Sequence, residues 1–228
     1  MTLITESEAV QNLLTSVEAS ESPLVLDVGG GTTDLLGIFQ QSRFQASYKF
    51  AAGLVNRYFT ASPPLQHMFV EALWKVIKEE EKGTRLGQQQ ADRKKLLKDL
   101  FSGQENGQHE SRTDYMQQGF FRMLGMLEER HYPALVDELQ RLGEGAQNEA
   151  NRKALAGFFY TLVLLYTGMV YQAGRLMRQH NISANNVKIR LIGNGSRFYR
   201  FLSHRNSEFD KVLQGMLYAG YQGKPERQ

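Results

Sequence analysis

An apolar run, Leu24-Val25-Leu26, leads into Asp27-Val28, three consecutive glycines at 29–31, Thr32-Thr33 and Asp34. The chain then returns to apolar residues at Leu35-Leu36 and Ile38-Phe39. The pattern predicts a strand, a tight glycine turn and a second strand. Adjacent glycines permit positive φ angles and let backbone come close to a ligand with no Cβ in the way. Successive N–H groups in such a turn converge into a nest for anions. Asp27 at the strand end adds a carboxylate, and Thr32 and Thr33 add hydroxyls. A phosphate chain with Mg²⁺ needs this set, because Mg²⁺ keeps its waters and uses only one or two carboxylates. The competing reading is a glycine-rich hairpin. At ~7% usage, a glycine triplet arises by chance at roughly 3 in 10,000 positions, so the triplet alone decides little. The flanking acids, the threonines and the two strands favour a phosphate turn.

Asp27-Val28-Gly29-Gly30-Gly31-Thr32-Thr33-Asp34 resembles the second phosphate-binding motif of the actin, heat-shock chaperone and sugar kinase ATPase superfamily. That family holds its nucleotide in a cleft between two similar α/β domains, with the second phosphate loop and the adenosine motif in domain II. A second match follows 166 residues later. Val187–Ile192 alternates and then turns apolar, as a strand entering a core does. Gly193-Asn194-Gly195-Ser196-Arg197 follows, and Phe198–Leu202 has helix-like content. Asn-Gly by itself is equally a hairpin turn. The separation favours the adenosine motif, since it leaves room for a domain II core with a helical insertion. The resemblance implies that backbone at Gly193, Asn194 and Gly195 approaches the nucleoside and that Ser196 hydrogen-bonds it. It also implies that Arg197 lies against the base, a task suited to a planar guanidinium.

A weaker match, Ile4–Val10, resembles the segment that connects the family's two domains and implies Glu6, in addition to Asp27, as a catalytic acid, facing the cleft near the attacking water or the metal. Thr5 and Glu8 also form a capping box, and both roles can hold together. The family's first phosphate loop is missing from the sequence, and 26 residues before Asp27 cannot contain a domain I. The expectation is therefore the second half of a larger ATPase, whose partner is the missing domain I. Taken alone it would bind adenine nucleotide weakly and would not turn it over, because half of the enclosing wall is lost.

Composition sets outer limits. At 228 residues, 41% hydrophobic and 22% charged, the chain is ordinary for a globular protein. It has no cysteine, so disulfides, thiolate metal sites and cysteine nucleophiles are excluded. Its five histidines (67, 109, 131, 180 and 204) have no metal-ligand spacing. A formal charge of +3 is too small to argue for nucleic acid. No secretory signal pattern stands at the start, and the expected location is cytoplasmic. Residues 154–173 carry no charged side chain and are long enough to span a bilayer. Gly157, Tyr160, Thr161, Tyr166, Gly168, Tyr171 and Gln172 dilute that run, and a helix buried in the core, with no membrane partner, is expected.

Periodicity predicts strands at 24–28, 34–40, 43–51 and 187–192, and helices at 54–59, 65–82, 89–101, 112–131, 133–142 and 151–178, with further helices after Arg197. A polar loop is expected at 103–110. The basic cluster Arg93-Lys94-Lys95-Lys98 could reach the adenosine, as a helix of the chaperone branch does, but charge runs usually solvate a surface and that reading is preferred. The expected fold is α/β, an RNase H-like, actin-type domain II with a mixed central sheet. Its nucleotide-binding core would comprise 1–60 and 151–228, and 61–150 would form an all-helical insertion. The implied cofactors are ATP and Mg²⁺, with Asp27 facing the metal and Gly29, Gly30, Gly31, Thr32 and Thr33 the phosphates. Three functions follow from the resemblance: an ATPase whose nucleotide state moves two domains (homo-oligomer or filament included), half of a small-molecule kinase, or a pseudo-ATPase scaffold binding proteins through the insertion. The intact Asp27, glycine run and Gly193–Arg197 argue against the scaffold.

Overall fold

The computed structural model describes residues 22–39, 42–81, 124, 127–144, 149–183, 187–203 and 208–223. The expected helix 89–101, most of 112–131, the loop 103–110, the cluster at 93–98 and Glu6 lie outside the described residues. The chain is mixed α/β, a four-stranded mixed sheet with six α-helices among the described residues, and it divides into two compact units.

The first unit contains the sheet. Strands β1 (Ser22–Val28), β2 (Thr33–Phe39) and β3 (Ser42–Tyr48) form an antiparallel meander, and β4 (Val187–Ile192) lies parallel to β1, giving the order β3-β2-β1-β4. The pleat sorts the side chains. Leu24, Leu26, Val28, Leu35 and Phe44 share one face and are buried. Gly37, opposite Phe44, has no side chain because the Phe44 ring fills that space. The other face carries Asp27, Asp34, Arg43, Gln45, Lys188 and Arg190, with Val25 buried among them.

Among the described residues, four helices precede β4: α1 (Ala52–Thr60), α2 (Pro63–Glu81), α3 (His131–Glu144) and α4 (Glu149–Gln179). The second half of α4 belongs to the first unit and buries Tyr166, Met169, Val170, Ala173 and Met177, a stripe at helical spacing. It ends in a Schellman motif. Asn181 takes φ 55°, Ile182 N–H donates to Met177 O at 2.8 Å, and Asn181 N–H donates to Arg178 O at 3.0 Å. Asparagine tolerates this left-handed position, which explains where the helix stops. His180 then stacks on Phe44, ring centroids 5.7 Å apart, and ties the helix end to the sheet. After β4 come a 3₁₀ turn (Asn194–Tyr199), α5 (Arg200–Ser203) and α6 (Glu208–Gln222). Helix α6 crosses α4 where glycines face the opposing backbone, at Gly174 and Gly220.

Among the described residues the second unit is helical: α1, α2, α3, the first half of α4, and the stretch from Arg197 through α5 to the start of α6. Pro63-Pro64 open α2, where missing N–H groups cost nothing. The Gln66 amide donates to the carbonyls of Phe59 and Thr60 at the end of α1, which fixes the corner. Within the unit's largely aliphatic core lies an aromatic cluster. Phe69 meets Phe59, Phe158 and Phe201 edge-on at 5.4, 5.2 and 5.7 Å, and Tyr132 meets Phe201 at 5.0 Å. Such edge-to-face pairs add to the burial of their large areas. The expected division at 60 and 151 follows chain breakers. The compact units instead divide at 51 and inside α4 at 165, because α4 is one uninterrupted helix whose two halves bury stripes in different units. Helix α4 is also the one helix among the described residues long and apolar enough to cross a membrane by length and composition, with half of its most apolar window buried.

One buried acid ties α2 to α3. Glu138 is 6% exposed; its Oε1 accepts from Arg141 Nε at 2.8 Å and from Arg141 Nη2, and its Oε2 accepts from Lys75 Nζ at 2.6 Å. The Arg141 hydrogen bond, opposed by burial and aided by Lys75, lowers its pKa from the usual 4.5 to about 2. A carboxyl depressed in the folded state contributes stability above its unfolded pKa and loses it as pH falls through the folded one. The melting temperature should therefore drop between pH 4.5 and about 2, and Glu138→Gln should flatten that part of the curve while lowering stability at neutral pH. Thermal melts across the acid range check this; identical acid slopes for the two proteins would remove Glu138 as the cause.

Candidate functional site

The two glycine segments meet at one end of the sheet. Asp27 is the penultimate residue of β1, and the chain leaves Val28 into the turn 29–32 before β2 begins at Thr33. Gly29 N–H donates to Thr32 O at 2.9 Å and closes the turn. A Cβ on Gly29 would stand 2.8 Å from Thr32 O, so the turn needs glycine there for space. Gly30 and Gly31 form the exposed tip, and a Cβ on either would meet nothing within 4 Å. The expected positive φ angles are not at this triplet. Among the described glycines, only Gly193 takes one, at 80°. The Gly29–Thr32 bond closes the hairpin with the triplet's φ angles outside the left-handed region; the reversal that requires such an angle is the exit from β4.

Because β4 is parallel to β1 with Ile192 opposite Asp27, that exit falls directly beside Asp27. A Cβ on Gly193 would lie 2.4 Å from Asp27 Oδ1 and 2.8 Å from Val28 O. Asp27 is half-buried and its carboxylate rests against the Gly193 backbone. Residues 166 positions apart thus share one small area. The hairpin register adds Asp34, directly across from Asp27 and on the same face. Directly opposed residues have Cβ atoms about 4.5–5.5 Å apart, and like charges there repel. Two carboxylates so placed suit a cation with oxygen ligands, either direct or through water. Asp34 is legible as an acid beside the glycine run, but its partnership with Asp27 depends on the strand register.

The 3₁₀ turn after Gly193 is held from several sides. Ser196 donates twice to Gly193 O, from its N–H at 3.1 Å and its Oγ at 2.7 Å. The Ser196 hydroxyl proton is therefore engaged within the turn, and its lone pairs are what it offers a ligand. Tyr166 Oη, fully buried on α4, donates to Gly195 O at 2.8 Å; no signal in the sequence points to this tyrosine. Asn194 and Gly195 are the first residues of the turn, the former exposed and the latter buried. Arg197, half-buried, belongs with the helical unit. Its charge and that of Arg200 bear on Tyr132, whose phenol is pushed up by burial and held back by Arg200 and then Arg197. The Arg200 guanidinium sits 5.7 Å from the Tyr132 ring centroid, within cation–π range.

The threonines separate. Thr32 is exposed in the turn, whereas Thr33 is fully buried on the Val28 face of the sheet, opposite to Asp27, and its hydroxyl has no hydrogen-bond partner. The arrangement therefore joins Asp27, Asp34, Gly29–Thr32 and Gly193–Ser196, and leaves the Thr33 side chain beneath them. No group of three or more His, Asp or Glu side chains able to hold a metal by themselves occurs among the described residues. A metal ion here would need most of its ligands from water and from the ligand it accompanies, the habit of Mg²⁺. No protein-family model matches this chain, and no curated protein or solved structure is significantly similar to it.

Proposed function

We propose that this chain is the nucleotide-binding half of an ATP-dependent phosphoryl-transfer protein of the actin, chaperone and sugar kinase type, with an RNase H-like core. The observation that carries the reading is the approach of Gly193 to Asp27, which joins two glycine segments from distant parts of the chain against one carboxylate. The open space above Gly30 and Gly31 supports a phosphate chain lying over the turn. The Asp27–Asp34 pair supports a hydrated Mg²⁺ beside it, held through water. When bound, that ion neutralises charge on the phosphates. The chain's own part is positioning: Gly29–Thr32 cradles, Asp27 orients the ion's water shell, and Gly193–Ser196 holds the nucleoside. Phosphoryl transfer depends mainly on such positioning and electrostatics. The acceptor, water or a substrate hydroxyl, would come with a partner domain that closes over this face.

Chemical-shift mapping with millimolar MgATP tests the reading even when affinity is low. Perturbed amides should converge on residues 27–32 and 193–196. Asp27→Asn keeps the shape and removes the charge, so it should abolish the difference between ATP with and without Mg²⁺ while leaving metal-free ATP shifts in place. An acid that serves only the turn would instead leave the Mg²⁺ dependence intact and lower thermal stability. Perturbations centred elsewhere, or none at these two segments, would overturn the assignment.

A further inference from the structure

Among the side chains around the two glycine segments, one is fully buried and reaches the turn with a single polar atom. Tyr166 sits on α4 with no exposed surface, in the half of the helix that also buries Met169 and Val170. Its hydroxyl donates to Gly195 O at 2.8 Å across 29 residues of chain. The same peptide unit is held at its other end, where Ser196 N–H donates to Gly193 O at 3.1 Å. One peptide plane in the middle of the turn is thus fixed from both sides, by the helix and by the residue that exits the strand.

A contrast within the protein shows that this is not a general demand of buried phenols. Tyr132 is just as buried, 1% exposed, and its hydroxyl makes no well-formed hydrogen bond, with the Arg200 guanidinium lying against the ring. The fold tolerates a poorly satisfied phenol in one core, while in the other it aims one at Gly195. The consequence is geometric. With the Gly195–Ser196 plane fixed, the Gly195 Cα, which has no side chain, and the Ser196 Oγ lone pairs keep one orientation relative to Gly193, which itself abuts Asp27.

We propose that Tyr166 is a positioning residue of the nucleotide site, setting the Gly193–Ser196 turn for the nucleoside part of the ligand and not for its phosphates. This rests on the nucleotide reading given above. It also makes α4 the element through which that turn is braced, because Tyr166 is the first residue of the α4 half that packs in the sheet-bearing unit.

Tyr166→Phe in the full 228-residue chain removes one oxygen and keeps the ring. A neutral hydrogen bond is worth about a factor of five in an equilibrium constant. Shift titrations should show ATP affinity falling by about fivefold while tripolyphosphate affinity is unchanged, and hydrogen exchange at the Ser196 amide should quicken by about the same factor. A merely structural hydroxyl would lower the melting temperature and leave the ratio of the two affinities unmoved. Equal loss for both ligands, or no loss for either, overturns the proposal. Should the wild-type chain bind neither ligand at this face, the nucleotide reading falls and takes the ligand role of Tyr166 with it. Ser196 exchange in Tyr166→Phe then still decides whether Tyr166 sets the turn.

Discussion

Gly220→Ala should destabilise the protein by about 2–3 kcal/mol, although alanine is the better helix former by about 1 kcal/mol. A Cβ on Gly220 would stand 2.1 Å from Tyr171 O, and one on Gly174 would stand 2.2 Å from Leu217 O. Both obstacles are backbone, so neither can swing aside as a side chain would. The two helices touch through their main chains, and an added methyl must push α6 off α4. The internal control is Gly215→Ala on the same helix, where nothing lies within 4 Å. There the propensity gain stands alone, and a small stabilisation is expected. At roughly 2–4 °C per kcal/mol for a chain of this size, Gly220→Ala should melt roughly 4–12 °C below the parent, and Gly215→Ala at or slightly above it. Two variants of equal stability would mean that α4 and α6 do not pack at this distance.

Gly193→Ala should remove the proposed nucleotide binding and cost about 2–4 kcal/mol of stability. Two effects combine. An alanine at φ 80° is strained by about 1–2 kcal/mol, and its methyl would lie 2.4 Å from Asp27 Oδ1 and 2.8 Å from Val28 O. The carboxylate must move, and the proposed ion site moves with it. Gly30→Val is the informative partner. It adds bulk at the open tip of the turn, where a Cβ meets nothing within 4 Å, so the fold should be barely affected while the space proposed for phosphate is filled. Denaturant unfolding and MgATP shift titrations on both variants separate the roles. Retained binding in Gly193→Ala would dissociate the strand exit from the ligand. Retained binding in Gly30→Val would move the phosphates away from the tip.

Much of the local structure of this chain is legible in its sequence. The strand 187–192 is expected and found with the same limits, and the strand expected at 24–28 begins two residues earlier, at Ser22. The expected helices 65–82, 133–142 and 151–178 correspond to 63–81, 131–144 and 149–179. Alternation, helical spacing and breakers such as Pro63-Pro64 act over a few residues, and the sequence contains all of that information. A mixed sheet also follows from the resemblance, and β4 does lie parallel to β1. The residues of the two glycine motifs come together at Asp27 and Gly193, except that Arg197 falls in the helical unit and Thr33 turns under the sheet; for Thr33 the pleat decides the side, and an odd or even count from Asp27 is the only clue.

What the tertiary structure alone decided has a common cause: it depends on the approach of segments far apart in the chain. The positive φ belongs to Gly193 and not to the triplet, because the parallel neighbour and not the hairpin demands the reversal. Lys75 and Glu138 meet across 63 residues, and Tyr166 finds Gly195 because α4 passes beneath that turn. Gly174 and Gly220 are ordinary helix-weakening glycines until two backbones come within touching distance. Composition made a hydrophobic core necessary, and periodicity placed its stripes. Which backbone carbonyl meets which glycine follows only from how those stripes pack, since close-packed interiors permit few solutions and none is written in any short stretch of sequence.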